Sequence, residues 1–375
     1  MSGGVQEKTP EKAAGFWFKP STNFDSRSPN SRFVLRSLQS DARDGRQPRE
    51  TSARTALPPS VEEEAAAHPP EQPRGRLQSF LEATAVGIYV FGFVFAPFVL
   101  TAFALVLVFC PPLWVFAVPY GVWCFFDWRT PTRGSRPTRF FRTLRLWTWM
   151  ARYFPMRLVK TADLPADRNY IVGCHPHGIL SFSTFLAFCT EAAGFSEAFP
   201  ELERRYAVTL PVQYWFPIRR ELLMLTTTIS SEVSAIEHVL QTSEKATVVA
   251  IVPGGAAEAL DSAPDCFKLT LKNRKGFVKL ALQNGASLNA FKRFTGVSSP
   301  FFYGCGFLSN RFGFLPFRTP ITLVVGRPIP VPKVAEPTPA QINELHEKYC
   351  RELRLLFDAH KQQHGVSPET QLEFV

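Results

Sequence analysis

The sequence predicts an α/β domain, a mixed sheet flanked by helices, behind an N-terminal membrane hairpin. Three observations carry this expectation. Ala83 to Phe126 is a run of 44 residues without a charge, where one bilayer span takes roughly 20. Nine basic residues follow it directly. Beyond them, short apolar runs bounded by turns alternate with amphipathic stretches, the pattern of strands and helices in turn.

Residues 1–78 hold Pro, Ser, Arg, Glu and Gly with little aliphatic periodicity. Such a stretch buries too little apolar surface to offset its conformational entropy, so it reads as a disordered tail. The first 30 residues lack the apolar core and cleavage site of a secretory leader. Residues 79–128 read as the hairpin. Pro111-Pro112 breaks the apolar run, giving arms of roughly 85–109 and 113–126, with Pro119 inside the second.

From Arg129 to Lys160 the nine cations (Arg129, Arg133, Arg136, Arg139, Arg142, Arg145, Arg152, Arg157 and Lys160) supply nearly all of the net charge of +10. Basic residues beside a span favour the cytosolic side and suit anionic headgroups. A nucleic-acid partner is not expected of cations placed there. Seven scattered cysteines without a Cys-x-x-Cys pair point to a reducing compartment. The composition excludes collagen, a coiled coil, a disulfide miniprotein and a wholly disordered protein, and 35 Phe suit contact with lipid.

Residues 129–375 form the expected cytosol-facing domain. Tyr170–Cys174, Ala246–Val252 and Ile321–Val325 read as strands, with helices around 180–192, 232–241 and 276–284. Thr338-Pro339-Ala340-Gln341 opens the last helix with a capping box. Ile342, Leu345, Tyr349, Leu353, Leu356 and Phe357 recur on its face.

Three motifs carry chemistry. Cys174-His175-Pro176-His177-Gly178 follows a predicted strand; an imidazole there can take a proton from an alcohol, Pro176 fixes the backbone between the two rings and Gly178 permits close approach. A structural His is the other reading, and the pair lacks a third ligand for a metal. Pro253-Gly254-Gly255-Ala256-Ala257-Glu258 follows the next strand. Its glycines can offer N–H groups to an oxyanion, and Glu258 can orient a His; a plain strand-to-helix turn competes. Arg274-Lys275-Gly276, with Lys279 one turn on, can hold phosphates at a helix N-terminus, although a solvated charged face gives the same pattern.

In this order, Tyr153-Phe154-Pro155, His175-Pro176-His177-Gly178, Gly254-Gly255-Ala256-Ala257-Glu258 and Arg274-Lys275-Gly276-Phe277-Val278-Lys279-Leu280-Ala281 resemble the type-two diacylglycerol acyltransferase family, which includes monoacylglycerol and wax-alcohol acyltransferases. The resemblance runs from about Leu77 to Val375. Val325-Gly326-Arg327-Pro328-Ile329-Pro330-Val331-Pro332 is similar to the monoacylglycerol branch. The resemblance implies a glycerolipid-acyltransferase-like sheet, acyl transfer from acyl-CoA to a hydroxyl of a mono- or diacylglycerol, and residence on the cytosolic face of the endoplasmic reticulum membrane and on lipid droplets. It implies His177 as base with His175 second, Glu258 orienting the ring, and Gly178, Gly254, Gly255, Arg274, Lys275 and Lys279 binding acyl-CoA and substrate. Acyl-CoA is a co-substrate, with no resident cofactor or metal; the expected partners are acylglycerols, membrane lipids and, compatibly, a second copy of the protein. Cys174 is not expected to be a nucleophile.

The sequence departs from the family pattern after Leu225, where an Arg is replaced within Thr226–Val233, and at Gly304-Cys305-Gly306. After Leu288 some two dozen residues of the pattern are absent. That absence predicts a lost core strand and a gap in the sheet, with an inactive paralogue or variant, retaining only lipid binding, as the alternative function.

Overall fold

The computed structural model describes residues 75–178, 180–242, 246–260, 267–294, 306 and 313–375. The expected tail lies outside them save its last four residues, as do Gly304 and Cys305.

A mixed seven-stranded sheet organises the domain. Its strands are β1 (Arg157–Lys160), β2 (Tyr170–His175), β3 (Arg204–Thr209), β4 (Thr228–Ser230), β5 (Thr247–Ile251), β7 (Ser287–Phe294) and β8 (Thr322–Val325), in the order β1-β8-β7-β2-β5-β3-β4. A short β6 (Lys268–Leu269) pairs with β9 (Glu373–Phe374) apart from it. Strands β7, β2, β5, β3 and β4 run parallel, and β8 turns antiparallel to β7. The central strands β2 and β5 are buried at every position, as parallel strands covered on both faces must be, which is why they read as continuous apolar runs.

The pleat sorts the core into two layers. Tyr170, Val172 and Cys174 pack on one face of β2 with Val86, Met150 and Phe188. Ile171 packs on the other, with Ile236, Val278 and Tyr349.

The apolar segment differs from the expected hairpin. It forms α1 (Arg76–Val94), α2 (Ala96–Phe109) and α3 (Trp114–Phe126). The apolar run turns at Pro111-Pro112 as expected, and the stretch expected as the first arm is divided between α1 and α2, with Pro97 suited to the start of α2. Among the described residues only α1 is by itself long and apolar enough to cross a membrane; α2 and the stretch from Pro111 to Thr132 pass as a pair bent by 107°. Helix α1 begins at Arg76, inside the expected tail, and buries Ala83, Ala85, Val86 and Val90 against α4 (Arg145–Tyr153) and its neighbours. Arg318 fixes it by an ion pair of 2.6 Å to buried Glu82.

Helix α5 (Arg219–Leu225) ties down the other apolar helices. The Arg219 guanidinium donates to the carbonyls of Gly92 and Phe93, capping the end of α1. Arg220 pairs with Asp127, just past α3, at 3.1 Å, and Tyr120 of α3 donates to Glu221 at 2.7 Å.

Three helices cover the second face: α6 (Val233–Thr242), α8 (Gly276–Asn284) and α9 (Pro339–His360). The capping box of α9 is present: Thr338 Oγ1 accepts from Gln341 N–H at 3.3 Å and Thr338 N–H donates to Gln341 Oε1 at 2.9 Å. The helix expected over 180–192 is broken, with one short turn at Phe182–Thr184 and a wide one at Phe185–Cys189.

Among the described residues the sheet shows no gap. Ser287–Phe294 is itself the strand, in register with β2 from Tyr170↔Ser287 to His175↔Lys292 and with β8 from Phe291↔Val325 to Phe294↔Thr322. The residues left after Leu288 supply the pairing, so the backbone groups are satisfied. They do so by drawing Lys292 and Arg293 into the interior.

Candidate functional site

Parallel strands end together, and the loops beyond their carboxyl ends converge on one edge. At this edge β2 delivers His175, Pro176, His177 and Gly178; β5 delivers Gly254, Gly255 and, through α7 (Gly255–Leu260), Glu258; β7 delivers Lys292 and Arg293. The expected histidines and Glu258 thus meet.

Glu258 meets the histidine loop at its backbone, and its charge also favours the protonated His177 ring. Its Oε1 accepts the backbone N–H of His177 at 2.5 Å and its Oε2 accepts the N–H of Thr270 at 3.1 Å. The buried carboxylate therefore clamps the histidine loop through the backbone. Gly254 makes room for it: a Cβ there would stand 2.1 Å from Glu258 Oε2. Gly255 takes a positive φ of 58°, and its N–H is spent on Val252 O at 3.1 Å, so it does not supply the expected oxyanion donor.

His177 is half-buried, and its Nδ1 faces the carbonyl of Gly178. A carbonyl only accepts, so Nδ1 carries the proton and Nε2 holds the basic lone pair. Burial holds the ring below the ordinary histidine pKa, against the opposite pull of the Gly178 carbonyl and Glu258; Arg293 adds to the depression. At neutral pH the ring is an unprotonated base.

His175 is placed differently. It is fully buried, with Nε2 2.9 Å from Tyr349 Oη of α9, and its Nδ1 is without a partner among the described residues. Burial, with Lys292 beside it, pushes the imidazole down to about 3. The ring is neutral and packs behind the loop against α9. Gly173 allows this packing, since a Cβ there would lie 2.0 Å from Tyr349 Oη. Cys174 points into the other core layer, and burial pushes its thiol up to about 12, which removes it as a nucleophile.

Sequence reasoning missed Lys292, Arg293 and Tyr349. Arg293 is buried, and its guanidinium lies against the loop: a Cβ on Gly178, at φ 61°, would be 2.6 and 2.7 Å from its two terminal nitrogens. Burial lowers it to about 10 while Glu258 pulls the other way, so it remains charged. Lys292 sits over the rings of Phe267 and Phe357 at 5.8 and 5.2 Å, and burial brings its amine down to about 7. A basic pair inside a strand is the available signal, because cations are seldom fully buried unless used or paired.

Lys275 caps the start of α8 and donates to Asn343 at 2.7 Å, while Arg274 and Lys279 are exposed. Helix α8 runs back towards the start of β7, so its N-terminus lies at the same edge as His177. Among the described residues no group of three or more His, Cys, Asp or Glu could hold a metal ion.

A neutral, half-buried imidazole, a clamped loop and a buried guanidinium beside it form an arrangement suited to proton removal next to a developing anion. The chain as a whole resembles known proteins. The diacylglycerol acyltransferase family model matches residues 106–291 and 287–375. Human 2-acylglycerol O-acyltransferase 3 is 37% identical over 335 residues, covering 82% of this chain and 98% of that protein. Diacylglycerol O-acyltransferase 2 of Danio rerio is 40% identical over 291 residues (70% and 80%), and human acyl-CoA wax alcohol acyltransferase 2 is 36% identical over 326 (80% and 98%). Among solved structures, a 1-acyl-sn-glycerophosphate acyltransferase from Thermotoga maritima matches with TM-score 0.37 and 13% identity, over 76% of this chain and 95% of that one, a likeness too slight to build on. The chain belongs to the diacylglycerol acyltransferase family. The two matched segments meet at β7, where the sequence departs from the family pattern.

Proposed function

We propose that the protein transfers a fatty acyl group from acyl-CoA to a hydroxyl of a mono- or diacylglycerol. The observation that carries the reading is His177: a half-buried imidazole whose Nδ1–H is held by Gly178, leaving Nε2 as base. Nε2 takes the acceptor's hydroxyl proton, and the oxygen attacks the thioester carbonyl. The tetrahedral oxyanion gains charge stabilisation from Arg293 and collapses, expelling CoA thiolate. His177 returns the proton to the thiolate, giving ester and free CoA. A thiolate is a good leaving group, so the route needs no covalent enzyme intermediate. Arg274, Lys275 and Lys279 at the start of α8 hold CoA phosphates.

The bent pair α2–α3 enters the membrane, and α1 joins that surface to the site. Tyr89 of α1 donates to the Leu180 carbonyl at 3.3 Å and packs on Phe182, two residues from Leu180 and just beyond the histidine loop. A fatty acyl group thus reaches His177 from the apolar side. The domain faces the cytosol at the endoplasmic reticulum membrane or lipid-droplet surface.

The split family match at β7 favours one second reading, an inactive variant that retains lipid binding. Labelled acyl-CoA offered to membranes with monoacylglycerol, diacylglycerol or fatty alcohol separates the two. Labelled di- or triacylglycerol is the expected product; no ester from any acceptor, with the protein present in the membrane, overturns the acyltransferase reading.

A further inference from the structure

A cavity of about 560 Å3 lies away from the histidine loop. It opens between the segment leaving α3, the carboxyl ends of β3 and β4, and the first turn of α6. Its lining brings together Trp128, Arg129, Arg133, Trp215, Glu232 and His238. None of them takes part in the acyl-transfer chemistry.

Arg136, from the same stretch, is held by Asp127 at 2.8 Å. Among the described residues neither Arg129 nor Arg133 has a carboxylate partner. Ser230, Glu232 and Ser234 of the wall flank the start of a ten-residue helix, α6, whose first N–H groups carry partial positive charge. These features suit one phosphate. They do not explain the cavity's size, which is much larger than a phosphate, nor the carboxylate of Glu232 on its wall.

Both are explained if the phosphate carries a polyol. Glu232 and His238, with Ser234 beside them, are hydrogen-bonding partners for hydroxyls. Trp128 and Trp215, 56% and 63% exposed, offer flat apolar faces with a polar edge. Position selects the source. Trp128 follows α3 by two residues, and Phe125 and Phe126 at the end of α3 are 77% and 81% exposed. Aromatic rings and arginines in that order mark the bilayer interface, where headgroups lie.

We propose that this cavity binds the headgroup of an anionic phospholipid that carries hydroxyls, an inositol phosphodiester. The inference rests on the reading that α2–α3 enters the membrane. Arg129 and Arg133 take the phosphate, Glu232 and His238 take ring hydroxyls, and the indoles flank the ring. The site anchors the domain at a fixed depth beside the bilayer.

The test uses full-length protein and flotation with vesicles of phosphatidylcholine alone, or with equal fractions of phosphatidylinositol or phosphatidylserine. The two anionic lipids carry the same net charge and differ in hydroxyls. Phosphatidylinositol is expected to tighten binding at least fivefold over phosphatidylserine. Arg133→Ala is expected to reduce binding to both, and Glu232→Gln to erase the preference while leaving phosphatidylserine binding intact. Both residues are exposed, so the fold is retained. Equal binding to the two lipids, or an unchanged preference in Glu232→Gln, overturns the site. Absence of binding to every vesicle rejects the membrane reading. Soluble glycerophosphoinositol, titrated into detergent-purified protein, then decides the site alone: saturable binding lost in Arg133→Ala supports it, and none overturns it.

Discussion

Replacing Glu258 by Gln tests whether the carboxylate acts through the backbone. The wild-type carboxylate accepts two backbone N–H groups, from His177 at 2.5 Å and Thr270 at 3.1 Å. Glutamine keeps the shape but has one acceptor oxygen, and its amide presents a donor where the second N–H already points. One charge-assisted bond is therefore lost, worth about 1.5–3 kcal/mol. If that is taken from the positioning of His177 in the transition state, kcat falls roughly 10- to 150-fold, at 1.36 kcal/mol per decade. The acidic limb of the pH–rate profile also moves to lower pH, because Glu258 raises the His177 pKa and its charge is gone. Initial rates with labelled acyl-CoA across pH, at matched protein levels, read both effects. A variant within twofold of wild type at every pH refutes the clamp.

Three further outcomes follow from the buried groups. Tyr349→Phe leaves His175 Nε2 without its 2.9 Å partner and should lower stability by about 1–3 kcal/mol, read as a lower unfolding midpoint in detergent. His175 sits near 3 when folded and near its ordinary value when unfolded, so the unfolded state binds the extra proton between those values; stability should fall as pH drops from about 6.5, by up to about 1.4 kcal/mol per unit. Lys292→Met removes a buried amine whose folded value is about 7 against about 10.4 unfolded. It should stabilise the protein on the order of 1 kcal/mol, fully below pH 7 and fading as pH rises towards 10.

What the sequence discloses has a physical pattern. β2, β5 and α9 are legible because burial on two faces gives an unbroken apolar run, and because Thr338 and Gln341 cap a helix by local chemistry. The histidine loop and Glu258 are legible as a pair because each directly follows a central strand. Strand β7 is not, since Lys292 and Arg293 interrupt its apolar character and only the neighbouring strands show that they are interior. The contact of Tyr349 with His175 joins residues 174 apart and leaves no local trace. Which face of α1 meets the domain leaves no trace in the sequence, because an apolar face against lipid and one against protein have the same composition; Ala83, Ala85 and Val86 pack on the domain.

The most direct test compares wild type with His177→Ala, expressed to equal levels in membranes lacking background acyltransferase activity. Wild type is expected to form ester from acyl-CoA and an acylglycerol, and the variant to lose at least about a hundredfold of that rate. His175, Glu258 and the unfolding midpoint should be undisturbed, because the His177 ring is half-exposed and is bonded only to its own loop among the described residues. Ester formation that survives the loss of this imidazole would contradict its role as the base.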